Sequence, residues 1–261
     1  MFELQYFLIG VIQGFTEFLP ISSTGHLILF AQLTNWEDQG LFTDIAVHFG
    51  TLFAVMIYLR KDIYYFLTNI FQFKFFEDQI IFKIILATLP AIILGYFIYD
   101  YVSIYFRSIQ LIALSSIVFA IILFFADRVK MKSKSWNKIT YIEALVVGLF
   151  QLLAFIPGAS RAGVTITGAR LLGYDRLNAA RLSMMLSIPI ILASMTLSFI
   201  KIFKEDYISV NLYQSFSAAL VALITALLSI IFLMRFIKKA NFNIFIIYRI
   251  VLGIVLLVIY V

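Results

Sequence analysis

"GFTEFLPISSTGHL", residues 14–27, sets a carboxylate, hydroxyl-bearing residues and a histidine inside an otherwise apolar stretch. Proline stops an incoming helix, and serine or threonine just beyond it caps a new one. Residues 4–33 therefore divide into two legs, each too short or only marginal for a crossing that needs about 20 residues. The segment reads as a re-entrant helical hairpin. A second interruption, "PGASRAG" at residues 157–163, divides residues 142–172 in the same way.

The rest of the chain says what solvent these hairpins sit in. Hydrophobic residues make up 63% and charged ones 13% of the 261 residues, against about 25% charged in soluble domains. The chain is expected to be an all-α integral membrane protein. Six uninterrupted apolar runs can span, at residues 42–59, 80–99, 109–126, 182–200, 216–236 and 244–260. The absence of cysteine excludes disulfides and thiolate metal sites. The first residues lack a basic region and a small-residue cleavage site, so they do not read as a signal peptide.

The net charge of +6 comes from clusters at span ends, which argues against a nucleic-acid partner. Residues 60–62, 127–138 and 235–241, with Arg176 and Arg181, are the basic ones, and basic loops face the cytoplasm. Threading the six spans on that rule places the first hairpin's entry outside and the second's inside. On the outer side, Lys201 and Lys204 are partly offset by Glu205 and Asp206.

Gly10, Gln13, Pro20 and Ser23 are matched by Gly148, Gln151, Pro157 and Ser160, with one residue fewer between Gln and Pro in the second copy. Each copy precedes three spans. The expected organisation is one membrane domain, 1–261: six transmembrane helices plus two re-entrant hairpins in an inverted-topology repeat. Repeat one covers about 1–126 and repeat two about 139–261, joined by the basic loop 127–138. Such repeats place their site near the midplane, where broken helices meet.

A charge inside the bilayer costs at least about 2.5 to 3.5 kcal/mol, so Glu17 and Arg161 need each other, a wet cavity or both. Hydroxyls and unpaired N–H groups at a helix start donate to anions, and a guanidinium grips phosphate with two parallel bonds. His26, three residues after Ser23, falls within possible reach of it. Ser, His and an acid can serve as nucleophile, proton carrier and orienter, or simply as polar packing. His48, on the first span, is a secondary candidate. No P-loop, zinc-protease or dinucleotide motif is present.

At these residues the chain resembles the undecaprenyl-diphosphate phosphatase family, the bacitracin-resistance type of bacterial membrane phosphatase. "GFTEFLPISSTGHL" and "PGASRAGVTITGARLLG" carry the resemblance. It implies hydrolysis of a polyprenyl diphosphate to the monophosphate carrier lipid and inorganic phosphate, which recycles the carrier for cell-wall synthesis. It also implies a site facing the outer side of the cytoplasmic membrane and a divalent cation, Mg²⁺ or Ca²⁺. The resemblance puts catalysis on Glu17, Ser23, His26 and Arg161, with Glu17 also a candidate cation ligand. Ser22, Thr24, Ser160, Thr165, Gln13 and His48 are expected to bind substrate.

Two positions depart from the family pattern. Gln13 stands where many members carry a second glutamate, and Ala162 where a serine is common. His48 replaces a frequent glutamine, and we expect that it changed together with Gln13. A second copy of the chain, as a homodimer, is a candidate partner. The rival functions are a lipid or organic-anion transporter using the same midplane site, and an intramembrane protease, which suits Arg161 less well.

Overall fold

The computed structural model describes residues 4–34, 36, 40–71, 80–106, 108–132, 134–204 and 212–260. The expectations that concern Glu205, Asp206 and the first three residues lie outside them. Everything regular among the described residues is helical. In chain order the helices are α1 (Leu4–Thr16), α2 (Ser23–Thr34), α3 (Gly40–Tyr58), α4 (Arg60–Phe71), α5 (Ile80–Tyr105) and α6 (Ile109–Ala126). They continue with α7 (Tyr141–Leu152), α8 (Arg161–Leu171), α9 (Arg176–Lys204), α10 (Leu212–Phe236) and α11 (Asn243–Tyr260).

Six of these, α3, α5, α6, α9, α10 and α11, are long and apolar enough to cross a membrane. The protein is a multi-pass membrane protein. Large apolar side chains such as Phe97, Ile142 and Val258 stand more than three-quarters exposed, as lipid-facing positions require. The other helices near the interruptions are short, with 13 residues in α1, 12 in α2, 12 in α7 and 11 in α8.

Several extents differ from the sequence expectation, with α5 running on to Tyr105 and α10 beginning at Leu212. Helix α9 begins at Arg176 rather than near residue 182, because the charges of its first two turns find partners: Arg176 pairs with Asp127 and Arg181 with Asp62. Helix α4 was not anticipated. Its charges fill the first turn and its apolar run, residues 63–67, is only five long, far short of a span.

Small residues set the packing. A Cβ added to Gly10 would lie 2.6 Å from the carbonyl oxygen of Ala218, so α1 can lie against α10 only with glycine there. Gly148 brings α7 against Ala87 of α5 in the same fashion. The principal helix contacts are α1 and α3 with α10, α6 with α11, α7 with α5, α3 and α8 with α9, and α7 with α8, with α9 on α5 close behind.

The basic clusters share one end of the bundle. Asp127, just past α6, accepts from Arg170 at the end of α8, Arg176 at the start of α9, and the backbone N–H of Phe242 before α11. Nearby, Thr140 caps α7 in a reciprocal capping box with Glu143. Glu143 also accepts from Lys134 and from the Tyr174 hydroxyl. At the opposite end Gln110 of α6 donates to the backbone oxygen of Tyr260.

Candidate active site

The two interruptions meet in the middle of the bundle. Ser22 and Ser160 are the only non-glycine residues with positive φ among the described residues, at 74° and 72°. Each begins a helix and takes a backbone N–H three residues on: Gly25 donates to Ser22 Oγ at 3.3 Å, and Gly163 to Ser160 Oγ at 3.1 Å. A left-handed serine costs on the order of 1 to 3 kcal/mol, which the surroundings must over-determine. Here the hydroxyl bonds and the burial of both serines supply that constraint. The sequence match had put Ser23, not Ser22, opposite Ser160; backbone conformation pairs Ser22 with it.

Ser22 also bridges the tips, accepting the N–H of Gly158 at 3.2 Å. Above both lies Arg249 of α11, fully buried. It donates to the carbonyl of Pro20 at 3.3 Å, of Gly158 at 2.8 Å and of Ala159 at 3.0 Å. Ser115 of α6 donates to the Pro157 carbonyl. Thus α6 and α11 hold the chain reversals, satisfying carbonyls that no helix can. Sequence reasoning missed Arg249, although an arginine amid "NIFIIYRIVLGIVLL" (residues 243–257) carries the same intramembrane cost that singled out Arg161.

Glu17 follows α1 and is buried. Arg161 donates to its Oε1 at 2.6 Å, while Ser23 at 2.7 Å and Gln13 at 3.0 Å donate to its Oε2. Arg161 opens α8, donates also to the Ser183 carbonyl at 3.3 Å, and lies 5.6 Å from the centre of the Phe18 ring. Thr165 sits one turn on and donates to the Ser183 hydroxyl at 2.7 Å.

These groups border a cavity of about 150 Å³ lined by Glu17, Ser22, Ser23, Thr24, His48, Ser160 and Arg161, with Ile190, Ile191 and Ser194 from α9. Of the expected site residues, Gln13, Thr165 and His26 lie outside that lining. Gln13 and Thr165 stand behind Glu17 and Arg161. His26 faces away: its Nδ1 meets the Ser22 carbonyl at 2.6 Å and its Nε2 the Tyr248 hydroxyl at 2.6 Å. The cavity thus offers one guanidinium, several hydroxyls and one carboxylate between apolar helices, a donor set for an anion carried on an apolar body.

The family profile described as bacitracin resistance protein BacA matches residues 6–255. The chain belongs to the BacA family. A protein of Saccharophagus degradans named undecaprenyl-diphosphatase is 44% identical over 249 residues, 94% of this chain and 93% of that one. One of the same name from a Ruegeria species is 41% identical over 261 residues, 97% of each chain. For a member of this family the cavity has the contents that cleavage of a lipid diphosphate calls for.

Proposed function

We propose that the protein hydrolyses undecaprenyl diphosphate to the monophosphate carrier lipid and inorganic phosphate in the cavity between the two tips. This activity returns the carrier to cell-wall synthesis and underlies bacitracin resistance. The observation that carries the reading is the convergence of Arg161 from the second interruption with Ser23 and Glu17 from the first on one cavity walled by apolar α9. A diphosphate needs the cationic fork and the hydroxyls; its tail needs lipid-facing helices beside them.

Arg161 exchanges its bond to Glu17 for the terminal phosphate, where its charge offsets that of the phosphoryl oxygens. Ser23 is the nucleophile. Its hydroxyl already points at Glu17 Oε2, so the proton has an acceptor as Oγ attacks the terminal phosphorus. The bridging oxygen leaves with its electron pair on the polyprenyl monophosphate, a good leaving group. Ser22, Thr24 and Ser160 line the path of the phosphate oxygens. His26, with both ring nitrogens engaged, braces α2 against α11.

A divalent cation, Mg²⁺ or Ca²⁺, fits here as a bridge between protein and substrate, because such ions are commonly held by one or two carboxylates together with substrate phosphates. Among the described residues no group of three His, Cys, Asp or Glu side chains forms a cage by itself. Glu17, once Arg161 turns to the phosphate, is the side chain that would hold the ion, and the ion would offset phosphate charge.

The architecture reads as an inverted repeat of hairpin plus three spans. Support comes from part of the packing, which recurs when the halves are exchanged: α1 on α10 answers α7 on α5, α3 on α10 answers α9 on α5, and α6 meets α11, while α8 packs on α9 and α6 without a counterpart from α2. The register is ungapped, since Gly10, Gln13, Ser22 and Gly25 stand the same 138 positions before Gly148, Gln151, Ser160 and Gly163. Under it Ser23 corresponds to Arg161, so equivalent first residues of α2 and α8 both reach Glu17. Helix α7 starts among the basic clusters and α1 at the other end, which gives hairpins entering from opposite faces. With the basic end cytoplasmic, the protein lies in the bacterial inner membrane and its cavity serves the outer side. One chain supplies every side chain of the site, so a homodimer would add none.

The test is phosphate release from polyprenyl diphosphate in detergent by wild type, Glu17→Gln and Arg161→Ala. Wild-type release, lost in both variants, is expected. Translocation of the lipid without hydrolysis would overturn the reading in favour of a carrier.

A further inference from the structure

Among the described residues one basic nitrogen that borders the cavity makes no hydrogen bond. His48, midway along α3, sets its Nδ1 2.8 Å from the backbone carbonyl of Asp44 one turn earlier. A carbonyl can only accept, so Nδ1 carries the ring proton and Nε2 of the neutral imidazole carries the lone pair. Nε2 makes no hydrogen bond among the described residues, and the ring lines the cavity beside Glu17 and Ser23. His26 reaches the same tautomer through the Ser22 carbonyl, but its Nε2 accepts from Tyr248 and points out of the cavity.

The proton count of the proposed reaction requires such a group. In the first step Ser23 Oγ bonds to phosphorus, the bridging P–O bond breaks, and the hydroxyl proton moves to Glu17. In the second, water bonds to phosphorus and the P–Oγ bond breaks, and Oγ must recover a proton, which Glu17 returns. Glu17 is therefore committed to Ser23 in both steps, and Gln13 beside it has no basic atom. The proton of the attacking water needs a different acceptor.

We infer that His48 Nε2 is the catalytic base for hydrolysis of the Ser23 phosphoester, taking the proton of the attacking water and passing it to solvent. The charged groups facing it are Glu17 beyond α1 and Arg161 at the start of α8. Helices α9 and α10 bring no titratable side chain to the cavity lining. The inference rests on the phosphatase reading with Ser23 as nucleophile.

The experiment follows both halves of the reaction with substrate labelled in its terminal phosphate. In His48→Gln, release of polyprenyl monophosphate should show a burst of one equivalent. Acid-quenched protein should retain labelled phosphoserine, and steady-state phosphate release should fall by about 10²- to 10⁴-fold, the usual contribution of a positioned base. In His48→Ala, free imidazole should restore dephosphorylation, a rescue that a packing role would not allow. His26→Gln should not accumulate phosphoserine.

Wild-type turnover in His48→Gln, or slow turnover without accumulated phosphoserine and without imidazole rescue in His48→Ala, would overturn the role of His48. Retained turnover in Ser23→Ala would instead remove the nucleophile, and an inactive wild type would remove the phosphatase reading, each taking the inference with it.

Discussion

Arg161 donates to Glu17 at 2.6 Å across 144 positions of sequence, joining the two chain interruptions through one ion pair. Both side chains are largely buried, 13% and 7% exposed. Removing one member leaves the other charged and uncompensated, at a cost of roughly 3 to 5 kcal/mol, whereas replacing both with apolar side chains can be nearly neutral. Thermal unfolding in detergent should therefore show Glu17→Ala and Arg161→Met each strongly destabilised. The double variant should recover most of the loss yet stay inactive. A double variant as unstable as the sum of its parents would mean that the pair is not a unit.

The left-handed serines predict an unusual order of tolerance. Glycine at position 160 relieves the backbone but loses the hydroxyl bond; alanine loses the bond and keeps the strain. Ser160→Gly should be more stable than Ser160→Ala by about 1 kcal/mol, with Ser160→Val below both. The same order is expected at Ser22, where Gly158 also loses its acceptor. Alanine outranking glycine at both sites would contradict the backbone assignment.

Arg249 acts on the site only through the backbone of the tips. Arg249→Leu strips the carbonyls of Pro20, Gly158 and Ala159 of a charged donor and should cost about 3 kcal/mol or more. Its activity loss should appear in kcat rather than KM, because the tip geometry loosens while Arg161 still binds phosphate. Arg249→Lys should restore part of the stability, since an ammonium can reach some of the carbonyls. A Leu variant with wild-type unfolding temperature and kcat would rule out this positioning role.

At the basic end, burial alone would raise the carboxyl of Glu143, but Lys134, the Thr140 backbone and the Tyr174 hydroxyl together hold it below its ordinary 4.5. A depressed carboxylate contributes stability that is fully present above the unfolded value and is lost as pH falls through the folded one. The gap in unfolding temperature between wild type and Glu143→Gln should be constant from pH 7 to about 5 and close in more acid solution. A gap that widened with acid would reverse the assigned direction.

Much of this was legible before any coordinates. The six spans and the two broken segments follow from composition over windows of about 20 residues, a local property. Glu17 and Arg161 stood out because an isolated charge in hydrocarbon is costly wherever it points. Arg249 obeys the same rule and was overlooked within a run that otherwise reads as a complete span. Helix α4 escaped because its apolar run, residues 63–67, is far shorter than a span.

Side-chain direction was not legible. His26 and His48 are both single histidines near polar residues, and spacing favours His26, one turn after Ser23. Which of them lines the cavity depends on the tertiary structure: Tyr248, 222 positions away, meets His26 Nε2, whereas His48 borders the cavity. The repeat register behaves likewise: proline positions favoured Ser23 opposite Ser160, while φ angles and amide bonds align Ser22. Sequence established the apolar solvent, the number of crossings and the presence of two polar breaks, because each is summed over neighbours along the chain. The folded arrangement established which serine, which histidine and which arginine meet at those breaks, because hydrogen-bond partners are chosen in space by residues far apart in sequence.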